Sequence, residues 1–234
     1  MRLKIAVVFV IGVALFVLPS AKADTFDFRT CGQTLATCAT DPGNTSLTYT
    51  VGADSVTATG WYVTAPGGTS GAGTQINVEA KAGQSDPSEN GLGDNPQIPY
   101  NDKEIGTNGN NGGSYMWLQL DVSNLTSKGI TNGQLVLGSL QNYANDQLQY
   151  CVASTSGTAC SGGTIVSGQS NSISTPQFVS WLGVGNFIDI KYFSGVDGNL
   201  QQLITPVPEP GTLLLFVTGL IGLAGLLGRK LITT

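Results

Sequence analysis

Residues 115–122 read Tyr-Met-Trp-Leu-Gln-Leu-Asp-Val, and residues 186–193 read Asn-Phe-Ile-Asp-Ile-Lys-Tyr-Phe. In the first stretch every second side chain is aliphatic, and Ile188, Ile190 and Tyr192 repeat this spacing in the second. A period of two is typical of a β-strand that buries one face in a hydrophobic core. The two stretches therefore predict half-buried strands.

The same kind of pattern extends over most of the chain. Short runs rich in Val, Ile, Thr, Tyr and Trp alternate with turns rich in Gly, Asn, Ser and Asp, and no helical period is sustained. We predict an all-β fold with one domain over residues 24–204, a single antiparallel β-sandwich of jelly-roll or immunoglobulin-like topology. The predicted strands are residues 46–51, 55–64, 74–80, 115–122, 134–140, 147–153, 177–182 and 186–193.

The charges are unevenly placed along the 234 residues, of which 15 are acidic, 10 are basic and none is histidine. All the acidic residues lie between Asp24 and Glu209 with only five of the basic ones, so this part has a net charge of −10. A domain this acidic repels phosphate backbones, and we expect no nucleic-acid partner. The absence of histidine excludes Ser-His-Asp triads, Cys-His dyads and histidine-ligated zinc.

The N-terminus has the layout of a secretory signal peptide. A basic start precedes an apolar run over residues 5–18, and Ala21 and Ala23 supply the small residues of a cleavage site. We therefore predict that residues 1–23 form a signal helix, which signal peptidase removes after Ala23. A retained membrane anchor is the alternative, although 14 apolar residues are short for a membrane span.

The C-terminal segment has three consecutive parts. A Pro-rich linker over residues 205–212 leads into an apolar run over residues 213–228, and a basic tail over residues 229–234 follows. As a helix, the uncharged stretch 211–228 spans about 27 Å, close to the hydrocarbon thickness of a bilayer. We predict a transmembrane helix over residues 213–228 whose basic tail stays cytoplasmic by the positive-inside rule.

The order Val207, Pro208, Glu209, Pro210, followed by the apolar run and the basic tail, closely resembles the PEP-CTERM sorting domain of bacterial exported proteins. The same segment is also called an ice-binding protein C-terminal domain. The resemblance implies a Gram-negative host and cleavage near the Pro-Glu-Pro sequence by an exosortase, a membrane-embedded cysteine peptidase. It also implies transient membrane anchoring and then transfer to the cell surface or to an extracellular matrix that contains exopolysaccharide. An ordinary single-pass anchor is the alternative.

Four cysteines, Cys31, Cys38, Cys151 and Cys160, predict two disulfides in an exported chain. Local pairing gives Cys31–Cys38 and Cys151–Cys160, the second across a predicted hairpin tip at residues 154–157. If this hairpin pairs symmetrically, the Cα atoms of Cys151 and Cys160 lie about 4.5–5.5 Å apart, which suits a disulfide. Sequence spacing alone leaves all three pairings of four cysteines open.

Residues 83–113 are rich in Gly, Asn, Asp and Pro and predict a long acidic loop. Because calcium prefers carboxylate oxygens, the loop is a candidate calcium site, although it lacks the terminal glutamate of an EF-hand. A solvated loop without metal is the alternative. The chain has no P-loop and no dinucleotide-binding glycine motif, so we expect no other cofactor. The candidate calcium ligands are Asp86, Asp94, Asp102 and Glu104.

Three classes of function compete for the mature domain. A non-enzymatic surface or matrix protein, carbohydrate-binding or adhesive, fits the acidity and the sorting signal. An exposed platform for sugar rings is one hypothesis for the aromatic residues, and burial in the core, which is commoner for aromatic residues in strands, is the alternative. The aromatic candidates are Trp61, Tyr62, Tyr100, Tyr115, Trp117, Trp181, Tyr192 and Phe193. A glycosidase-like hydrolase is the second class, with Asp102 and Glu104 as the nearest carboxylate pair. Nothing around this pair would raise a carboxyl pKa, so we expect no enzymatic activity. A membrane-tethered periplasmic structural protein is the third class.

Overall fold

In the computed structural model, the regular elements of the described residues are nearly all β-strands. The structure describes residues 23–29, 45–63, 73–81, 91–95, 105–106, 115–140, 145–168, 176–195, 198–206 and 219. Within these residues, one short helix, α1, spans Ser123–Thr126. The strands are β1 (Thr25–Asp27), β2 (Ser46–Val51), β3 (Asp54–Val63), β4 (Thr74–Lys81), β5 (Gly91–Asn95), β6 (Tyr115–Asp121), β7 (Asn132–Gly138), β8 (Gln147–Ala153), β9 (Thr164–Ser167), β10 (Gln177–Leu182), β11 (Phe187–Ser194) and β12 (Asn199–Ile204).

The first sheet, called sheet A, is antiparallel and places β10, β7 and β12 side by side. The opposite edge of β12 pairs with β1 and, at one position, with β5. β5 in turn pairs with the second part of β4. The segment Asp24–Pro206 contains all the strands of the described residues and forms one compact unit.

The second sheet, called sheet B, is also antiparallel and has the order β3, β6, β11, β8, β9. The outer edge of β3 pairs with β2 over most of its length and with the start of β4 beyond it. β4 therefore leaves sheet B and continues into sheet A. Gly52, with φ +59°, is the first of two residues in the β2–β3 turn, the position at which a type II′ turn requires glycine.

One hydrophobic core contains buried side chains of both sheets. The rings of Phe28, next to β1 of sheet A, and Tyr49, in β2 of sheet B, meet edge to face with centroids 4.7 Å apart. Full burial of a Leu or Ile side chain contributes about 1.5–3 kcal/mol. The core includes Leu118 and Leu120 of β6, Ile188 and Ile190 of β11, and Leu135, Leu137, Trp181, Leu200 and Leu203 of sheet A.

The predicted all-β, antiparallel character is confirmed, and the eight predicted strands are present with shifts of at most two residues. Sequence analysis missed β1, β5, β9 and β12, which are short or lack a clear alternation of apolar residues. The predicted continuous loop over residues 83–113 is wrong at β5. There the backbone forms a ladder with β4, and Leu92 is fully buried. Gly91 permits this packing, because a Cβ atom there would lie 2.6 Å from the Asn199 side chain.

The predicted signal helix and transmembrane helix fall outside the described residues, apart from Ala23 and Gly219. Gly219 is helical. Within the part of the chain that the structure describes, no helix has both the length and the apolar character needed to cross a membrane. Both predicted segments therefore stay predictions.

Candidate functional site: a polar cluster beneath the disulfide loop

Three polar side chains of sheet B are buried although they lie on the face opposite the hydrophobic core. Gln119 of β6 is 2% exposed, and Asp189 and Lys191 of β11 are 0% and 3% exposed. Outward residues of a two-layer β-fold ordinarily face water. A covering segment must therefore remove these groups from solvent.

The covering segment is the connection between β8 and β9. Cys151 in β8 forms a disulfide with Cys160, with the Cα atoms 6.5 Å apart, so this predicted pair is confirmed. The condition of symmetric hairpin pairing is not met, because Tyr150 pairs with Thr164 and Cys160 remains in the connection, not opposite Cys151. We call residues 151–160 the disulfide loop.

Side chains of sheet B bind the backbone of the disulfide loop at three places. Gln119 Nε2 donates to the Thr155 carbonyl over 3.3 Å, and Gln119 Oε1 accepts from the Gly157 amide over 2.9 Å. At Cys160, the amide donates to Asp189 Oδ2 over 2.9 Å, and the carbonyl accepts from Lys191 Nζ over 2.6 Å. These bonds replace the water that the buried polar groups would otherwise bind.

Gln119 also links the two strands beneath the loop, because its Nε2 donates to Asp189 Oδ1 over 2.8 Å. Both carboxylate oxygens of Asp189 are thus hydrogen-bonded within the protein. A carboxylate that is fully buried and bonded in this way has no direct access to a substrate. The arrangement accounts for the position of the disulfide loop.

Two tryptophans fill the apolar part of the same covered surface. Trp61 of β3 and Trp117 of β6 stack with ring centroids 6.1 Å apart and an interplanar angle of 16°. The disulfide loop passes directly over Trp61, since a Cβ atom at Gly157 would lie 2.7 Å from its Cη2 atom. The Gly73 amide, which donates to the Gly157 carbonyl over 2.8 Å, joins the start of β4 to the loop. We call Trp61, Trp117, Gln119, Asp189 and Lys191 the outer cluster.

The hypothesis of an exposed sugar platform fails for Trp117 and Trp181, which are 0% and 1% exposed, and the alternative of burial holds for both. The physical reason differs between the two rings. Trp117 points away from the core but is covered, whereas Trp181 points into the core.

Burial shifts the pKa values of the two charged groups of the outer cluster in opposite directions. Desolvation raises the pKa of Asp189, and this effect exceeds the opposing influence of the Gln119 and Cys160 hydrogen bonds and the charge of Lys191. Desolvation lowers the pKa of Lys191, and the charge of Asp189 opposes that change. The opposite charges of Asp189 and Lys191 thus partly offset the desolvation of each group.

The group formed by Cys151, Cys160 and Asp189 does not fit a metal ion. The sulfur atoms of Cys151 and Cys160 and a carboxylate oxygen of Asp189 all lie within 4.8 Å of one another. Both sulfurs are joined in the disulfide, so neither is available as a thiolate, and the Asp189 oxygens already accept hydrogen bonds. Lys191 adds a positive charge beside the same carboxylate.

Most other predicted site residues lie outside the described residues. Asp94 falls in β5, but its side chain is not among those described. Ala23 is half-buried at the start of the described chain. Outside the described residues are Ala21, Cys31, Cys38, Asp86, Asp102, Glu104, Val207, Pro208, Glu209 and Pro210.

Sequence analysis missed the outer cluster, because a polar residue at an outward strand position predicts solvent exposure. The sequence contains one indication that these charged residues are unusual. Asp189 and Lys191 lie two residues apart on one strand, directly after 42 residues, 147–188, without a single charged side chain.

The comparison with protein families gives a match in the C-terminal segment. The family described as "PEP-CTERM protein-sorting motif" matches residues 206–230. No curated protein and no solved structure matches the chain significantly. The matched segment contains the Val-Pro-Glu-Pro sequence, the apolar run and the basic residues on which the resemblance rested. The chain is therefore a PEP-CTERM sorting domain-containing protein.

Proposed function

We propose that this chain is an exported surface or extracellular-matrix protein of a Gram-negative bacterium, processed by an exosortase at its PEP-CTERM motif. The match over residues 206–230 carries the proposal. Signal peptidase removes residues 1–23, and the helix over residues 213–228 then holds the chain transiently in the inner membrane. Cleavage near the motif releases the mature domain to the cell surface or the extracellular space.

The residue types around the motif support this order of events. Pro206, Pro208 and Pro210 fix φ and lack amide donors, so the segment favours an extended form that a peptidase can bind. The apolar run and the basic pair Arg229-Lys230 stop translocation immediately after it. The motif is thereby held just outside the bilayer, within reach of a membrane-embedded enzyme.

For the mature domain we propose a β-sandwich with a non-enzymatic role, adhesive or carbohydrate-binding, in contact with exopolysaccharide. Its support is the net charge of −10 between Asp24 and Glu209, which favours solubility outside the cell, together with the exposed ring of Phe193. Calcium binding at Asp86, Asp94, Asp102 and Glu104 stays a prediction.

Replacement of Pro208, Glu209 and Pro210 by Ala tests the sorting function. Membrane insertion should be unchanged, because it depends on apolar length and tail charge. The variant should accumulate as a membrane-bound precursor that keeps its C-terminal segment, measured by intact mass and membrane fractionation. The native chain in a host without exosortase is the control and should accumulate the same precursor.

A deletion of residues 211–234 provides the complementary result, a secreted domain that never becomes membrane-bound. If the triple-Ala variant is still shortened and released at the native rate in a host with an exosortase, the sorting function is wrong and a plain anchor remains. Glycan-array binding of the released protein, with and without calcium, tests the proposed carbohydrate binding. Release of sugars from the same glycans would instead favour the hydrolase class.

A further inference from the structure

Residues 147–188 contain no charged side chain, and they include the strands β8, β9 and β10. Among the described residues, β10 and β9 are the first and last strands in the order of hydrogen-bonded neighbours. β10 is the end strand of sheet A, and β9 is the end strand of sheet B. Soluble proteins usually place charged side chains, proline or bulges on edge strands, because an open edge pairs readily with another chain. Within β10 and β9 no such residue is present, and the pairing of β10 with β7 is regular.

The exposed side of β10 is also apolar. Phe178 is 63% exposed and Leu182 is 77% exposed, and Val184, just beyond the strand, is 90% exposed. Ser180 lies between the first two and is exposed as well. The outward face of this edge strand is therefore an apolar surface with one central hydroxyl group.

The backbone of β10 has hydrogen-bonding groups directed to the same open edge. The Gly183 amide donates to the Thr131 carbonyl over 3.0 Å, which continues the ladder with β7. In an antiparallel ladder alternate residues bond to one neighbour, so residues 178, 180 and 182 direct their amides and carbonyls away from β7. The Ser180 carbonyl accepts from the Tyr150 hydroxyl over 2.6 Å, in agreement with this direction, and it has a second lone pair. Among the described strands, none pairs with this edge.

We propose that two copies of this protein associate through β10, with the two strands antiparallel and Ser180 of each copy opposite Ser180 of the other. This register places Phe178 opposite Leu182 of the second copy, and the two-fold axis generates that pair twice. The backbone groups of residues 178, 180 and 182 bond across the junction, and sheet A continues from one copy into the other.

Charge favours a second copy as the occupant of this edge. Two domains of residues 24–204 that each carry a net charge of −9 repel one another, except where the approaching surfaces are uncharged. The run 147–188 supplies such a surface. A basic partner or a nucleic acid would find no countercharge on this surface. A second copy of β10 that runs antiparallel to the first, by contrast, places its apolar side chains opposite Phe178 and Leu182 and its own Ser180 opposite Ser180.

A cysteine at the two-fold axis tests the register. In a hydrogen-bonded antiparallel pair the opposed Cα atoms lie about 5.5 Å apart, a distance that suits a disulfide. Ser180→Cys in the full chain should therefore form a covalent dimer under mild oxidation. Thr50→Cys, at an exposed position of the edge strand β2, is the matched control and should not form one.

A charge on the same surface tests the association without a new cysteine. Leu182→Lys should raise the dissociation constant of the dimer at least about tenfold, because each dimer loses two apolar cross-strand pairs and gains two like charges. Sedimentation velocity over a concentration series measures this change, and Thr50→Lys is the control, with no change expected. Circular dichroism should be the same for all three proteins.

Three results would overturn the proposal. One is a native chain that sediments as a monomer up to its highest soluble concentration. Another is equal cross-linking of the Ser180→Cys and Thr50→Cys variants. The third is a series of higher oligomers without a Ser180→Cys cross-link, which would indicate head-to-tail contact between β9 and β10.

Discussion

Two buried regions lie on opposite faces of the same two strands, β6 and β11. On one face Leu118 and Ile190 join the apolar core that both sheets share. On the other face Gln119 and Asp189 join the outer cluster beneath the disulfide loop. The core depends on apolar area, whereas the outer cluster depends on directional hydrogen bonds and one covalent link.

The difference shows that burial of a strand face has two physical origins here. Apolar side chains leave water because of the hydrophobic effect, which requires no particular partner atom. Polar side chains can be buried only if specific donors and acceptors replace water. Residues such as Thr155, Gly157 and Cys160 provide these groups from their backbone. The core should therefore tolerate apolar exchange, and the outer cluster should not tolerate changes in geometry.

The largest expected effect comes from the core. Ile190→Ala should reduce the free energy of unfolding by about 3 kcal/mol, because it removes a fully buried side chain and leaves a cavity. Ile165→Ala, at a position of β9 that is 44% exposed, is the control and should cost less than about 1 kcal/mol. Urea unfolding measures both, and equal losses would contradict the assignment of Ile190 to the core.

A glycine in the disulfide loop should give the next largest effect. Gly157→Ala should cost about 2 kcal/mol, because the new Cβ atom would overlap the Trp61 ring and φ is +69°. Gly162→Ala has a similar φ of +79° with open space around it, so it should show only the backbone strain of about 1 kcal/mol. Tryptophan fluorescence should change for Gly157→Ala alone. Equal losses for the two variants would mean that the loop does not pack on Trp61.

The smallest effect concerns the pH dependence of stability. Because the folded-state pKa of Asp189 is raised above 3.8, the folded protein keeps this proton after the unfolded chain has lost its own. The contribution of Asp189 to stability therefore falls as the pH rises from 3.8 through the folded-state pKa. Urea unfolding at several pH values measures the free energy of unfolding of the native protein and of the Asp189→Asn variant. We expect the native value minus the variant value to decrease over this pH interval. A constant difference would contradict the burial of an ionisable group at this position.

The fold class followed from local information, since period-two alternation in residues 115–122 and 186–193 indicates strands with one buried face. β5 was not predicted because Gly-Leu-Gly-Asp-Asn has one apolar residue and no period. Its strand conformation results from backbone pairing with β4 and β12, which sequence patterns do not encode. The Cys151–Cys160 pair was predicted on the assumption that the cysteines pair locally, whereas the strand register around it was not predicted.

The sequence by itself determined the strand-rich composition, the apolar face of each long strand, the uncharged run 147–188 and the PEP-CTERM motif, because each depends on neighbours close in the chain. Only the tertiary structure decided which outward face is covered. Gln119, Asp189 and Cys160 are separated by up to 70 residues, yet they meet beneath one loop. Such a meeting depends on the packing of whole strands and loops, so no local pattern around Asp189 specifies it.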